Sequence, residues 1–312
     1  MGILLTGSTG FIGKQFIESY NCLSSLYAVV RHNSCKAASK DVTGFFVVEN
    51  GINGFTPWDN AFSNIRVVLH LGGLAHKNSL CPSDYDEVNV EGTLHLARSA
   101  AKSGVQRFIY VSSIGVNGIS TNDSLFTSMS PPCPHNSYSR SKYKAELGLK
   151  KIAEETGLEV VIVRPTLVYG PNAPGNFGML TKLVNKLPVL PFGLANNRRD
   201  FIAVQNLADL LVTCATHPDA AGHTFLASDS ETVSIKEFTN AIADGLGKKV
   251  IQLPVPVSLM RLVGKLTGKS AMIEQLYGNL EVDSSNIKKV LGWTPPFTMK
   301  QAMATLRDSG VK

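Results

Sequence analysis

No Cys-x-x-Cys pair occurs in the 312 residues, and the five cysteines (Cys22, Cys35, Cys81, Cys133, Cys214) are odd in number and scattered. Neither a zinc set nor a disulfide framework is visible, so no metal is expected and a reducing, cytoplasmic setting is. No apolar run approaches the ~20 residues of a membrane span. No cleaved leader is read at the start either, because Met1 leads straight into an apolar strand and a glycine loop. Met1 to Thr6 fits the M-G-x-x-x-[ST] myristoylation pattern, but Gly2 to Leu5 read better as a buried first strand. Charged residues are only 17% against 44% hydrophobic, which excludes wholesale disorder. Fifteen prolines and 27 glycines exclude a collagen-like chain. Basic runs are missing as well. The net charge of +6 comes from isolated pairs such as Lys150-Lys151, Arg198-Arg199, Lys248-Lys249 and Lys288-Lys289, so neither nucleic acid nor a membrane is expected as a partner.

What is present alternates. Short apolar runs at Ile3–Leu5, Tyr27–Val30, Phe45–Val48, Val67–Leu71, Phe108–Val111 and Val160–Val163 are rich in Val, Ile and Phe. Such runs predict strands buried on both faces of a parallel sheet. Helical patterns lie between them, the last over Lys142 to Glu155 and ended by Gly157. The expected fold class is α/β, a Rossmann-type doubly wound parallel sheet with a smaller mixed C-terminal substrate domain. The break is placed after residue 168, where Gly170-Pro171 and Ala173-Pro174-Gly175 open a loop-rich stretch. The second part, 169–312, carries short strands at Thr224–Ala227 and Val250–Leu253 and helices near 234–246, 258–267 and 298–308. Some of its segments are expected to return to the main sheet.

Gly7, Gly10 and Gly13 make G-x-x-G-x-x-G between the first strand and the first helix. One glycine serves the turn, one lets backbone N–H groups approach a pyrophosphate, and one allows close helix–strand packing. Tyr138 and Lys142 are four apart and share a helix face. An ammonium beside a phenol favours the phenolate, so Tyr138 is expected to have a lowered pKa suited to proton transfer. Val111-Ser112-Ser113 closes the fifth strand. Strand alternation sends the two hydroxyls to opposite faces, and Ser113 is taken as the partner of Tyr138.

These motifs resemble the extended short-chain dehydrogenase/reductases, in their nucleotide-sugar epimerase/dehydratase branch. The resemblance rests on TGSTGFIG at 6–13, HLGGLAH at 70–76, YDEVNVEGT at 85–93, VSS at 111–113, YSRSK at 138–142, RPTLVYGP at 164–171, RRDFIAVQNLADL from Arg198 and LGWTPP at 291–296. It implies a catalytic triad of Ser113, Tyr138 and Lys142, with Lys142 also holding the nicotinamide ribose. It implies cofactor contacts from Gly7, Thr9, Gly10, Phe11, Ile12, Gly13, Leu71, Gly72, Gly73, Asn89 and Pro165, and diphosphate contacts from Asn176 and Arg199. A homodimer through the helices near 89–103 and 142–155 is implied as well.

Three departures sharpen the expectation. Arg31 stands at the end of the second strand, where NAD-dependent relatives place an Asp, so NADP is favoured and NAD is the alternative. Ile114 and Gly115 replace the Asp-Glu pair of dehydratases and cannot act as acid or base. The segment Tyr277 to Asp283 offers no clear second diphosphate arginine. The leading expectation is therefore a 4-keto reductase acting on a UDP-hexose or UDP-N-acetylhexosamine, for surface polysaccharide. The alternative is a UDP-sugar 4-epimerase. A non-catalytic NADPH-binding sensor is more remote, because Ser113, Tyr138 and Lys142 are all present.

Overall fold

The computed structural model describes residues 2–20, 25–31, 41–75, 81–122 and 124–307. Cys22, Cys35, His32 and His76, all weighed in the sequence, lie outside the described residues; Cys81, Cys133 and Cys214 are free thiols.

Strands and helices alternate through the first half: β1 (Gly2–Thr6), α1 (Phe11–Ser19), β2 (Leu26–Arg31), β3 (Gly44–Val48), β4 (Ile65–His70), α2 (Pro82–Tyr85), α3 (Thr93–Lys102), β5 (Arg107–Val111), α4 (Ser137–Thr156) and β6 (Glu159–Pro165). Then come β7 (Leu167–Tyr169), α5 (Gly175–Lys186), β8 (Val189–Leu190), β9 (Arg199–Ala203), α6 (Val204–Thr216), β10 (Thr224–Ala227) and β11 (Thr232–Val233). The chain closes with α7 (Ile235–Gly245), β12 (Ile251–Gln252), α8 (Val257–Leu266), α9 (Ser270–Tyr277), α10 (Ser285–Leu291) and α11 (Met299–Ala304).

The main sheet has seven strands in the order β10-β6-β5-β4-β1-β2-β3, and every pairing within it is parallel. Every residue of β1 and of β5 is buried, as apolar strands covered on both faces must be. The strand order reverses between β1 and β4. In a doubly wound sheet, that switch point opens a crevice beyond the carboxyl ends of the strands. The loops after β1, β4 and β5 all leave from this edge.

β7, β9 and β11 form a second sheet, and β8 pairs with β12. Their core centres on aromatic rings: Phe201 stacks on Phe238 at 3.8 Å between centroids, with Tyr169 and Phe177 against the same ring. β7, β9, α5 and α6 were not read from the sequence; β7 and β9 are short strands whose partners lie far away in the chain. Among the described residues, no helix is long and apolar enough to cross a membrane.

Candidate active site

Gly7 has φ of +71°, and a Cβ there would press on the backbone of Leu71 and Gly72. A Cβ on Gly13 would collide with the Gly7 carbonyl, so the first turn of α1 packs directly on the loop. Gly10 donates its N–H to the Gly7 carbonyl at 3.0 Å and precedes α1 without a capping side chain; the first turn of α1 holds no acidic residue. Thr9 and Gly10 remain accessible, while Phe11 and Ile12 are half-buried against the two cores. The positive end of α1, with no capping side chain and no acidic residue in its first turn, is thus left for an anion. Ser8 Oγ donates to the Val29 carbonyl at 3.0 Å and ties the loop to β2, whose last residue is the exposed Arg31. This cradle fits a dinucleotide: backbone donors suit a pyrophosphate, and glycine is required where the chain approaches it.

After β4, Leu71, Gly72 and Gly73 cross beside the loop. Gly72 donates to Thr6 Oγ1 at 2.9 Å. A Cβ on Gly73 would meet Asn89 Oδ1, with Lys142 Nζ next nearest. The buried Asn89 side chain accepts from the Leu74 N–H at 2.7 Å and donates to the Leu74 carbonyl and to Ser141 Oγ. It lies in a π-helical stretch, Asp86–Gly92, a wound-out form that recurs at functional sites. The buried His70 bridges Thr6 Oγ1 at 2.7 Å and Thr93 Oγ1 at 2.9 Å. Burial first, and then the Lys142 charge, lower its pKa to about 3, so it is neutral. His70 is a clasp between two strands and a helix.

α4 starts earlier than its periodicity predicts, at Ser137, because Asn136 and Ser139 form a reciprocal cap. Tyr138 therefore sits in the first turn, facing the end of β5. Ser113 hydrogen-bonds the Tyr138 hydroxyl and also accepts from the Gly115 N–H at 3.1 Å. Ser112 points the other way: its Oγ is buried with no hydrogen-bond partner among the described residues. Lys142 donates to the Val111 carbonyl at 3.0 Å and places Nζ 4.7 Å from the Tyr110 ring centroid and 5.9 Å from that of Tyr138. The structure thus gathers Ser113, Tyr138 and Lys142 at one strand end, next to Gly73 and Asn89. Pro165 closes β6 two strands from β4.

One expectation is corrected. The pKa of Tyr138 is pushed up, to about 12, rather than down. Burial dominates, the Ser113 hydrogen bond opposes it, and Tyr85, edge-on to the ring, adds to it. Burial also lowers Lys142 to about 8, against the carboxylate of Glu146. At neutral pH the phenol holds its proton and the lysine its charge.

Glu146, one turn beyond Lys142, was missed in the sequence. It accepts from Arg164 Nε at 2.9 Å, and Arg164 also donates to Asn117 Oδ1 at 2.9 Å, all buried. The signal was present: Tyr138, Lys142 and Glu146 recur at four-residue spacing along one helix face.

The two residues expected at the diphosphate lie on β9 and α5. Arg199 opens β9 and donates to the Gly278 carbonyl at 2.8 Å; burial lowers its pKa to about 10, against Asp200, so it stays charged. Asn176, exposed in the first turn of α5, reaches Gln275 at 3.3 Å. Arg198 instead pairs with Glu281.

Residues 3–227 match the model of the NAD dependent epimerase/dehydratase family. A UDP-glucose 4-epimerase of Vibrio cholerae is 43% identical over 96% of this chain and 92% of its own. The chain belongs to this family. An N-acetyl-alpha-D-glucosaminyl-diphospho-ditrans,octacis-undecaprenol 4-epimerase of Escherichia coli O157:H7 is 23% identical over 96% of this chain and 92% of its own. The crystal structure of a UDP-glucuronic acid 4-epimerase from Bacillus cereus, in complex with NAD, matches with a TM-score of 0.77 at 18% identity, covering 99% of this chain and 98% of that one. The fold is that of the extended short-chain dehydrogenase/reductases, and the protein is an NAD-dependent enzyme of the nucleotide-sugar epimerase/dehydratase type.

Proposed function

We propose that this family member is a UDP-sugar 4-epimerase with NAD as its resident cofactor, acting on a UDP-hexose or a UDP-N-acetylhexosamine. The observation that carries the reading is the 43% identity to a UDP-glucose 4-epimerase across nearly both whole chains. The 4-keto reductase, preferred from Arg31 alone, gives way to its alternative. One side chain at the end of β2 weighs less than full-length similarity, and the matching family is NAD-dependent.

The residues that would hold NAD are the loop from Gly7 to Gly13, Leu71 to Gly73, Asn89, Tyr138, Lys142 and Pro165. The chemistry that a bound NAD supplies is reversible hydride acceptance at C4 of the sugar. The Tyr138 hydroxyl moves the proton at the sugar's 4-oxygen, donating it in one direction and taking it in the other. Ser113 Oγ shares that oxygen by hydrogen bonding, and Lys142 Nζ supplies the positive charge that steadies a phenolate. Ile114 and Gly115 leave no acid or base for eliminating water, which favours epimerisation over dehydration. Arg199 and Asn176 are the proposed diphosphate donors, and a homodimer through α3 and α4 belongs to the same proposal.

The test is to give the purified protein UDP-glucose or UDP-N-acetylglucosamine with no added cofactor and separate the products. Conversion to the 4-epimer, with no net change in nucleotide absorbance, is expected. Stoichiometric oxidation of added NADPH with a 4-keto sugar, and no epimer from either substrate, would instead establish the reductase.

A further inference from the structure

The helix α8 carries a second apolar face. It packs on the body through Val257, Met260 and Gly264, and a Cβ on Gly264 would strike Ile273 of α9, so the two helices lie in close contact. Leu259, Leu262, Val263 and Leu266 follow the i, i+3, i+4, i+7 spacing of a single helix stripe. That stripe points away from the packed face: the four side chains are 49%, 53%, 44% and 77% exposed. Met272 on α9 is exposed as well. Lys265 and Lys269 are exposed on the same hairpin, and Arg261 holds its Glu274 carboxylate at 2.8 Å.

We infer that the α8–α9 hairpin docks on an anionic lipid surface, with its leucine stripe in the headgroup region and its lysines against lipid phosphates. An interfacial helix requires these two features together, an apolar face buried ~5–10 Å deep and basic residues beside it. A second copy of the chain suits the face less well. A two-fold contact would gather two copies of Lys265 and Lys269 into one interface, and four partly exposed side chains fall short of the roughly 800 Å² per partner of a stable dimer. A ten-residue helix is far too short to span a bilayer, so the contact is with the interface only. The hairpin also borders the substrate side: Gln275 of α9 bonds Asn176, and Gly278, just past α9, bonds Arg199. Docking would hold the proposed diphosphate site at the membrane surface. The docking itself stands whichever sugar is turned over.

The experiment is co-sedimentation of the full chain with vesicles of equal parts phosphatidylcholine and phosphatidylglycerol, beside vesicles of phosphatidylcholine alone. Binding to the mixed vesicles at low salt and much weaker binding to the neutral ones are expected. Leu262→Asp with Leu266→Asp should lower the partition coefficient at least ~10-fold, and Lys265→Glu with Lys269→Glu should remove the salt-sensitive part. Thermal unfolding and turnover of soluble substrate should match the parent in both variants, which separates lost docking from lost folding. No binding to anionic vesicles, or variants that bind like the parent, would overturn the inference. So would a loss of self-association in the leucine variant, which would assign the stripe to a second copy.

Discussion

Lys142 donates a 3.0 Å hydrogen bond to the main-chain carbonyl of Val111, the last residue of β5, two residues before Ser113. This bond ties α4 to the end of β5, so the Lys142 ammonium and the Ser113 hydroxyl are held close by a single contact. Tyr138, one turn earlier on α4, is positioned by the same anchor.

Tyr138→Phe should lower kcat by ~10²–10⁴, the usual worth of a positioned proton-transfer group, and leave NAD binding nearly unchanged. Because Lys142 titrates at about 8, kcat should decline as the pH rises through that region. Lys142→Arg, which keeps its charge, should move that limb upward. A flat profile through pH ~8 would show that the lysine's charge does not assist the step.

The two neighbouring serines should behave in opposite ways. Ser113→Ala removes a partner of Tyr138 and should lower kcat while leaving stability nearly unchanged. Ser112→Ala removes a buried hydroxyl with no partner among the described residues. It should therefore leave kcat alone and leave the melting temperature equal or slightly higher. The reverse order in kinetics would place the wrong serine at the site.

His70 should make the fold sensitive to acid. Its folded pKa of about 3 lies below the 6.5 of the unfolded chain, so the unfolded state binds more protons between those values. The stabilisation is full above the unfolded pKa and is lost as pH falls toward the folded one, about 2 kcal/mol by pH ~5. Denaturant titrations should show a flatter dependence in this window for His70→Asn, even though losing the two threonine contacts lowers its stability overall.

Glu146→Ala would leave the Arg164 guanidinium buried opposite an empty acceptor. A loss of about 3–5 kcal/mol is expected, since an unpaired buried charge is costly. A change under 1 kcal/mol in urea unfolding would mean that water reaches this pair.

UDP should raise the melting temperature, and Arg199→Ala should remove most of that shift. The main-chain bond to Gly278 uses one guanidinium nitrogen, Nη1, and a charge-assisted fork to a diphosphate uses several. An unchanged UDP shift in the variant would move the diphosphate site elsewhere.

The glycine loop, the β/α alternation and the Tyr138–Lys142 pair were legible because each is local. Period, turn chemistry and helix spacing act over a few residues and leave their mark in the linear order. The strands of the second sheet were not legible, since β9 is held by β7 and β11 from distant parts of the chain. The protonation of Tyr138 was misread for a related reason. The sequence shows the lysine four residues away, but not the burial that dominates and pushes the phenol up. Alternation put Ser112 and Ser113 on opposite faces and the sequence reading took Ser113; the hydrogen bond between Ser113 and Tyr138 and the buried Ser112 Oγ without a partner among the described residues appear only in the folded chain. The leucine stripe of α8 could be read from its spacing, but only the packing of Gly264 on Ile273 decided which face remains exposed. A helix's periodicity gives its faces, and only tertiary contact decides which of them is covered.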